Sequence, residues 1–86
     1  MKVHELKVWR LFYPWILNGS KKFELRINDR DFKEYDVLHL REYDDTKKRY
    51  TGRECFCKVG FVLHGHHSGF GLQEGYCIMT IELMTT

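Results

Sequence analysis

The sequence predicts a small α+β domain whose sheet curls to bury its own inner face. Short stretches of alternating apolar and polar residues, each the length of a strand, recur five or more times along the chain. One stretch near the N-terminus has helical spacing instead. With 86 residues there is room for a single core, so residues 1–86 form one domain. A sheet with only one helix to cover it reaches a closed core by curling.

The elements follow in order. Val3 to Val8 reads as the first strand. Trp9, Phe12, Tyr13, Ile16 and Leu17 then fall at i, i+3, i+4, i+7 and i+8, one face of a helix. Pro14 is compatible with that helix if it starts near Leu11, because proline is tolerated in a first turn. Asn18-Gly19 ends it after about two turns. Leu11 and Trp15 lie off the apolar face and are expected to pack beneath a neighbouring loop, or, if exposed, to form a partner patch or a stacking surface for a base.

From Gly19 the chain alternates again. Phe23, Leu25 and Ile27 take one parity, expected to be buried, and Lys22, Glu24 and Arg26 take the other. Asn28 to Asp31 is a polar turn that Phe32 and Tyr35 are expected to anchor. Val37 to Tyr43 is a strand, and Asp44 to Arg49 is a charged hairpin loop. Tyr50 to Leu63 is one long strand or a bent pair, with Gly60 a candidate bulge. Its core parity is expected to run through Cys55, Cys57, Val59, Phe61 and Leu63. After a glycine-rich loop from His64 to Gly71, Tyr76 to Met84 closes the sheet on Cys77, Met79, Ile81 and Leu83.

Composition bounds the setting. A chain 43% hydrophobic and 30% charged is ordinary for a soluble domain. No apolar run approaches the roughly 20 residues of a membrane span, and Met1 to Glu5 holds no signal-peptide core. The expected location is cytoplasmic, with no membrane partner. Three cysteines do not make a secreted disulfide framework, so reduced thiols are expected. A net charge of +2 fits a nucleic-acid partner only if it is unevenly spread.

The chemistry concentrates at Lys21, Glu24 and Arg26. Alone, such a trio is an exposed ion pair worth about 0 to 1 kcal/mol. Its convergence beside a glycine turn, where a ligand can approach closely, points to a binding site. Cys55-x-Cys57 and His64-x-His66 invite a metal assignment, but the cysteines sit on the apolar parity and the histidines on the other. Their spacing also matches no common zinc motif. Two buried thiols and a polar loop are expected, with no metal and no cofactor. His67 is a candidate proton carrier for the cleft, since imidazole titrates near neutrality.

Gly19-x-Lys21-x-x-Glu24-x-Arg26 resembles the G-x-K-x-x-E-x-R signature of the ASCH domains in the PUA-like superfamily, filling all four positions. Glu5-Leu6-Lys7-Val8, Arg26 to Phe32, Tyr50 to Glu54 and Gly71 to Tyr76 extend the resemblance to a subfamily of short bacterial and phage proteins of unknown function. The resemblance covers nearly the whole chain. It implies a PUA-like curled β-barrel of about five to six strands with one N-terminal helix and a cleft between barrel and helix. It also implies an RNA or modified-nucleoside partner, held by Lys21, Glu24 and Arg26 with Asn28 and Arg30 at the rim. A related branch hydrolyses N4-acetylcytidine with a lysine, a threonine and a glutamate. Here Lys21 matches the lysine and Glu24 stands at the threonine position. Glu74 is a loose match for the glutamate, so Lys21, Glu24 and Glu74 are the catalytic candidates if there is turnover. Related sequences carry Gly-Asp where this one has Tyr35-Asp36, so that turn is expected to differ.

Overall fold

The computed structural model describes residues 1–67 and 71–85, with the side chain of His67 outside that set. Among them the chain forms β1 (Val3–Trp9), α1 (Tyr13–Leu17), β2 (Phe23–Ile27), β3 (Val37–Asp44), β4 (Arg49–His64), a 3-10 turn at Gly65–His67, and β5 (Tyr76–Leu83). The strands make one sheet in the order β1-β3-β4-β5-β2. β1 runs parallel to β3, and the other neighbouring pairs are antiparallel.

In a flat sheet β1 and β2 would lie roughly 19 Å apart, four strand spacings. Instead, a guanidinium nitrogen of Arg26 on β2 donates to the carbonyl of Lys7 on β1 at 2.6 Å. The sheet has curled until its two margins are one side chain apart. The architecture is a small α+β half-barrel of five strands with one short helix.

Alternation fills the interior of four strands, as the sequence leads one to expect for β3, the first half of β4 and β5. Leu6 and Val8 of β1, Leu38 and Leu40 of β3, Cys55, Cys57 and Val59 of β4, and Cys77, Met79 and Ile81 of β5 are all buried. Tyr13 and Ile16 of α1 and Phe32 of the β2–β3 connection complete the core. Cys55, Cys57 and Cys77 are free thiols.

The helix is shorter than the two turns expected. It has no side-chain cap at Phe12, Pro14 falls in its first turn, and Gly19 follows in the left-handed region at φ 81°. Leu11 and Trp15 are 65% and 47% exposed, so they do not pack beneath a loop.

Three further expectations are corrected. The parity of β2 is inverted: Phe23, Leu25 and Ile27 are 46%, 53% and 56% exposed, while Glu24 is buried. Register with β5 decides this, because Glu24 and Arg26 lie opposite the inward-facing Met79 and Cys77. On β4, Phe61 faces outward and Val62 packs against the core. The register against β5 shifts between Val59 and Val62, and the extra residue of that bulge exchanges the two faces. A Cβ at Gly60 would run into the Thr80 hydroxyl, which also accepts the Phe61 N–H. Finally, Phe32 anchors the polar turn but Tyr35 is exposed, at φ 75°. The turn places a tyrosine in a left-handed geometry that suits glycine.

Of the buried carboxylates, Asp36 ties β1 to the turn before β3, and Glu42 ties β3 to β4. Asp36 accepts from Lys2 N–H at 3.0 Å and Lys33 N–H at 3.1 Å, and lies 2.8 Å from His4 Nε2. Burial pushes its pKa up, but the bonds to His4, Lys2 and Lys33 outweigh it and hold the carboxyl below its usual range. Glu42 accepts from Arg53 on both oxygens at 2.8 Å, and from Thr51 at 2.7 Å. The Arg53 bonds, against burial and with help from Thr51, lower its pKa as well.

Carboxyl groups with depressed folded pKa values add stability above their unfolded pKa, and it is lost as pH falls through the folded pKa. Stability measured by urea unfolding is expected to be level near neutrality and to fall below about pH 4. Asp36→Asn is expected to lower neutral-pH stability by about 2 kcal/mol and to make the acid fall shallower. An unchanged acid slope in that variant would remove Asp36 from the account. Tyr35→Gly is expected to raise the unfolding free energy by about 1 kcal/mol, read from the same curves, through relief of the left-handed strain.

Candidate functional site

The site begins with the turn after α1. The Lys21 N–H donates to Trp15 O at 2.9 Å, which folds the chain back over the helix and aims Lys21 at β2. Its ammonium donates to Glu24 Oε1 at 2.5 Å and to Phe23 O at 2.7 Å. Arg26 Nε donates to Glu24 Oε2 at 2.9 Å. Each carboxylate oxygen therefore faces its own cation. The side chains of Lys21, Glu24 and Arg26 are 14%, 5% and 25% exposed, so this is no solvated surface pair. Taking Glu24 from water is offset only because both oxygens are matched.

The backbone of β2 contributes as well. Ile81 N–H donates to Lys22 O and Asn28 N–H to Gly75 O, so the even-numbered residues of β2 take the ladder bonds to β5. The amide and carbonyl groups of Phe23, Leu25 and Ile27 then face the seam toward β1. Arg26 reaches across to Lys7 O, and Arg30 Nη1 to Glu5 O at 2.9 Å. The seam is stapled by arginine side chains.

Above the first staple the seam opens into a cleft of about 360 Å3. Its floor is Lys21, Glu24 and Arg26, and its walls are Trp9 and Phe12 on one side and Phe23 and Leu25 on the other, with Lys7 at the lip. The Lys21 ammonium sits 4.9 Å from the Phe23 ring centroid and 5.7 Å from that of Phe12. A second hollow of about 240 Å3, with Trp15 and Ser20 in its wall, shares Phe12, Lys21 and Phe23 with the cleft. The arrangement offers flat apolar walls, a cationic floor with one carboxylate in it, and unladdered backbone groups.

Of the residues singled out from the sequence, Lys21, Glu24 and Arg26 come together at this floor. Asn28 and Arg30 lie further along the seam, outside the cleft lining. Asn28 accepts the Phe32 N–H at 3.1 Å and lies 3.2 Å from His64 Nδ1, so it shapes the turn. Glu74 is exposed just before β5, next to the Tyr76–Ile27 end of the β2–β5 ladder, whereas Lys21 adjoins the Phe23–Thr80 end. The His67 side chain and residues 68–70 lie outside the described residues. Among those described, no group of three or more histidine, cysteine, aspartate or glutamate side chains is placed to hold a metal.

Lys7, Trp9 and Phe12 were not expected in the site. Trp9 and Phe12 carried a signal, their apolar character just ahead of the glycine turn, but helical spacing assigned them to a core. Deeper in the barrel, Cys57 lines a hollow shared with Lys21. The Cys57 thiol lowers the pKa of Cys55 to about 7 against burial, with the Tyr13 hydroxyl assisting. Cys57 itself is pushed up by Cys55 and by burial. These thiols stand behind the floor and outside the cleft.

Fold and site together define a small α+β protein with an open, curled sheet whose seam carries an aromatic-walled, charged cleft. The chain belongs to the family described as Domain of unknown function (DUF3850), whose model matches residues 3–81. It is 31% identical over 58 residues to an uncharacterized 12.9 kDa protein in the GpA 3' region of Escherichia phage P2. That match covers 67% of this chain and 51% of the relative, so the aligned part spans about half of the phage protein.

Glu24→Ala leaves two cations facing each other in a mostly buried site, and is expected to lower the unfolding free energy by about 3 kcal/mol. Chemical denaturation checks this. A loss below about 1 kcal/mol would mean that the trio behaves as a solvated surface pair.

Proposed function

We propose that the protein binds a nucleotide of RNA, or a modified nucleoside, in the cleft between β1, β2 and the start of α1. The observation that carries this reading is the pairing of flat aromatic walls with the Lys21–Glu24–Arg26 floor. A base is a flat ring with a polar edge, and the cleft offers a stacking surface beside donors and an acceptor. Lys21 and Arg26 suit a phosphate or a carbonyl edge, and Glu24 suits an exocyclic amine. Trp15, exposed beside the cleft, extends the stacking surface.

The same reading takes the fold as PUA-like and the chain as an ASCH-type domain. The half-barrel, the short N-terminal helix and the placement of Lys21, Glu24 and Arg26 in one cleft support it. Binding is favoured over hydrolysis for two reasons. Lys21 is engaged as a donor to Glu24 and Phe23 O, and Glu74 lies toward the other end of β2. A general base must reach the proton it takes, and neither group is arranged for that.

Both tryptophans of the chain, Trp9 and Trp15, border the cleft or its neighbouring hollow, so their emission reports occupancy. Titration with cytidine, N4-acetylcytidine and a short RNA is expected to give saturable quenching. Lys21→Ala and Arg26→Ala are expected to weaken binding at least about tenfold while keeping the folded circular-dichroism spectrum. Unchanged affinity in both variants would move the site elsewhere. Acetate release that vanishes in Lys21→Ala would make the cleft catalytic.

A further inference from the structure

The outer face of β1, β3 and β4 carries side chains in cross-strand rows. Register places Trp9 beside Tyr43 and Tyr43 beside Tyr50, and one step along it places Lys7 beside Arg41. The first row is aromatic throughout. Trp9 and Tyr43 meet edge to face at 6.1 Å, and Tyr43 and Tyr50 at 5.2 Å. The second row supplies cations to the first: Lys7 Nζ lies 3.9 Å from the Tyr43 ring centroid and Arg41 Cζ 3.9 Å from that of Tyr50.

A core has no use for this row, because it points away from the interior. Trp9 is 48% and Tyr50 39% exposed. At the far end of the row a hollow of about 410 Å3 runs past Tyr50 to Lys47 and Arg49 of the β3–β4 hairpin. Asp44 also lines this hollow; its carboxylate is spoken for, accepting the N–H groups of Thr46 and Lys47 at 3.0 Å and lying 3.4 Å from Arg10. Lys47, Lys48 and Arg49 are left as the cationic exterior of the loop, against Asp45. At the near end, Lys7 and Trp9 also line the cleft. Aromatic row and cleft are therefore continuous.

We propose that this face is a track for single-stranded RNA, which leads from the cleft across Trp9, Tyr43 and Tyr50 to the basic hairpin. This rests on the cleft reading above and extends it from one nucleotide to a strand. Exposed aromatics on an open sheet stack unpaired bases, about two to three for a sheet of this width. Lys7 alongside and the hairpin cations Lys47, Lys48 and Arg49 meet the phosphates that such stacking lines up. Glu5 and Glu54, the carboxylates on this face, are turned to Arg41 at 3.1 Å and to His39 at 2.8 Å. A duplex, whose bases are already stacked, has nothing to offer the row.

The test compares fluorescein-labelled oligoadenylates, from one nucleotide to about eight, by anisotropy, with an RNA duplex of the greatest length as control. Affinity is expected to rise with length and then level, and the duplex to bind more weakly than the single strand. Tyr50→Ala is expected to lower affinity for the longest strand about tenfold, one lost base stack, and to leave mononucleotide binding unchanged. Tyr50→Phe, which keeps the ring, is expected to bind as the unaltered protein does. No gain with length, or equal binding of the duplex, would overturn the track and leave the cleft standing. Length-dependent binding that needs Tyr50 but is indifferent to Lys21→Ala would keep the track and remove the cleft reading.

Discussion

The carboxylate of Glu24 accepts from Lys21 on one oxygen and from Arg26 on the other, and Arg26 goes on to donate to the backbone of β1. That chain of contacts crosses the open seam of the sheet. β2 and β1 share no ladder; across the seam Arg26 and Arg30 donate charge-assisted bonds, the stronger kind of hydrogen bond, to carbonyls of β1. Glu24 fixes the guanidinium of Arg26, and the guanidinium sets the width of the seam. The cleft is the space left above that contact, which is why its floor is charged while its walls are apolar.

The rest of the barrel repeats the device with other residues. Asp36 joins the start of β1 to the turn before β3 through His4, Lys2 and Lys33. Glu42 holds Arg53 and Thr51 where the β3–β4 pairing shifts register. In each case a buried carboxylate accepts several donors, and no buried side-chain nitrogen or oxygen among the described residues lacks a partner. Among the described residues the core cluster has thirteen buried side chains, three of them cysteines, which leaves little apolar mass to define the strand arrangement. Saturated carboxylates of this kind add directional contacts between the elements they join.

How much of this was legible in the sequence depended on whether one strand could be read alone. β1, β3, the first half of β4 and β5 were legible, because an inner apolar row and an outer polar row distinguish their faces. β2 was not. Its apolar row is outside, and the reason lies in its pairing with β5, which a local pattern does not carry. Gly60 announced the bulge, but carrying parity through it to Phe61 required knowing that the extra residue lay there. For the site, Lys21, Glu24 and Arg26 were visible because they are neighbours in sequence beside a glycine turn. The wall formed by Trp9 and Phe12 was hidden by a spacing that mimics a helix. The separation of Glu74 from Lys21 follows from strand direction, which spacing does not reveal.

The inverted face of β2 has a consequence for motion. One margin of this five-residue strand is laddered to β5, and the other looks onto the seam with its Phe23, Leu25 and Ile27 amides. Amides so placed exchange with solvent through small local excursions and need no global unfolding. The cleft thus borders a strand that is laddered on its β5 side and held on its seam side by side chains.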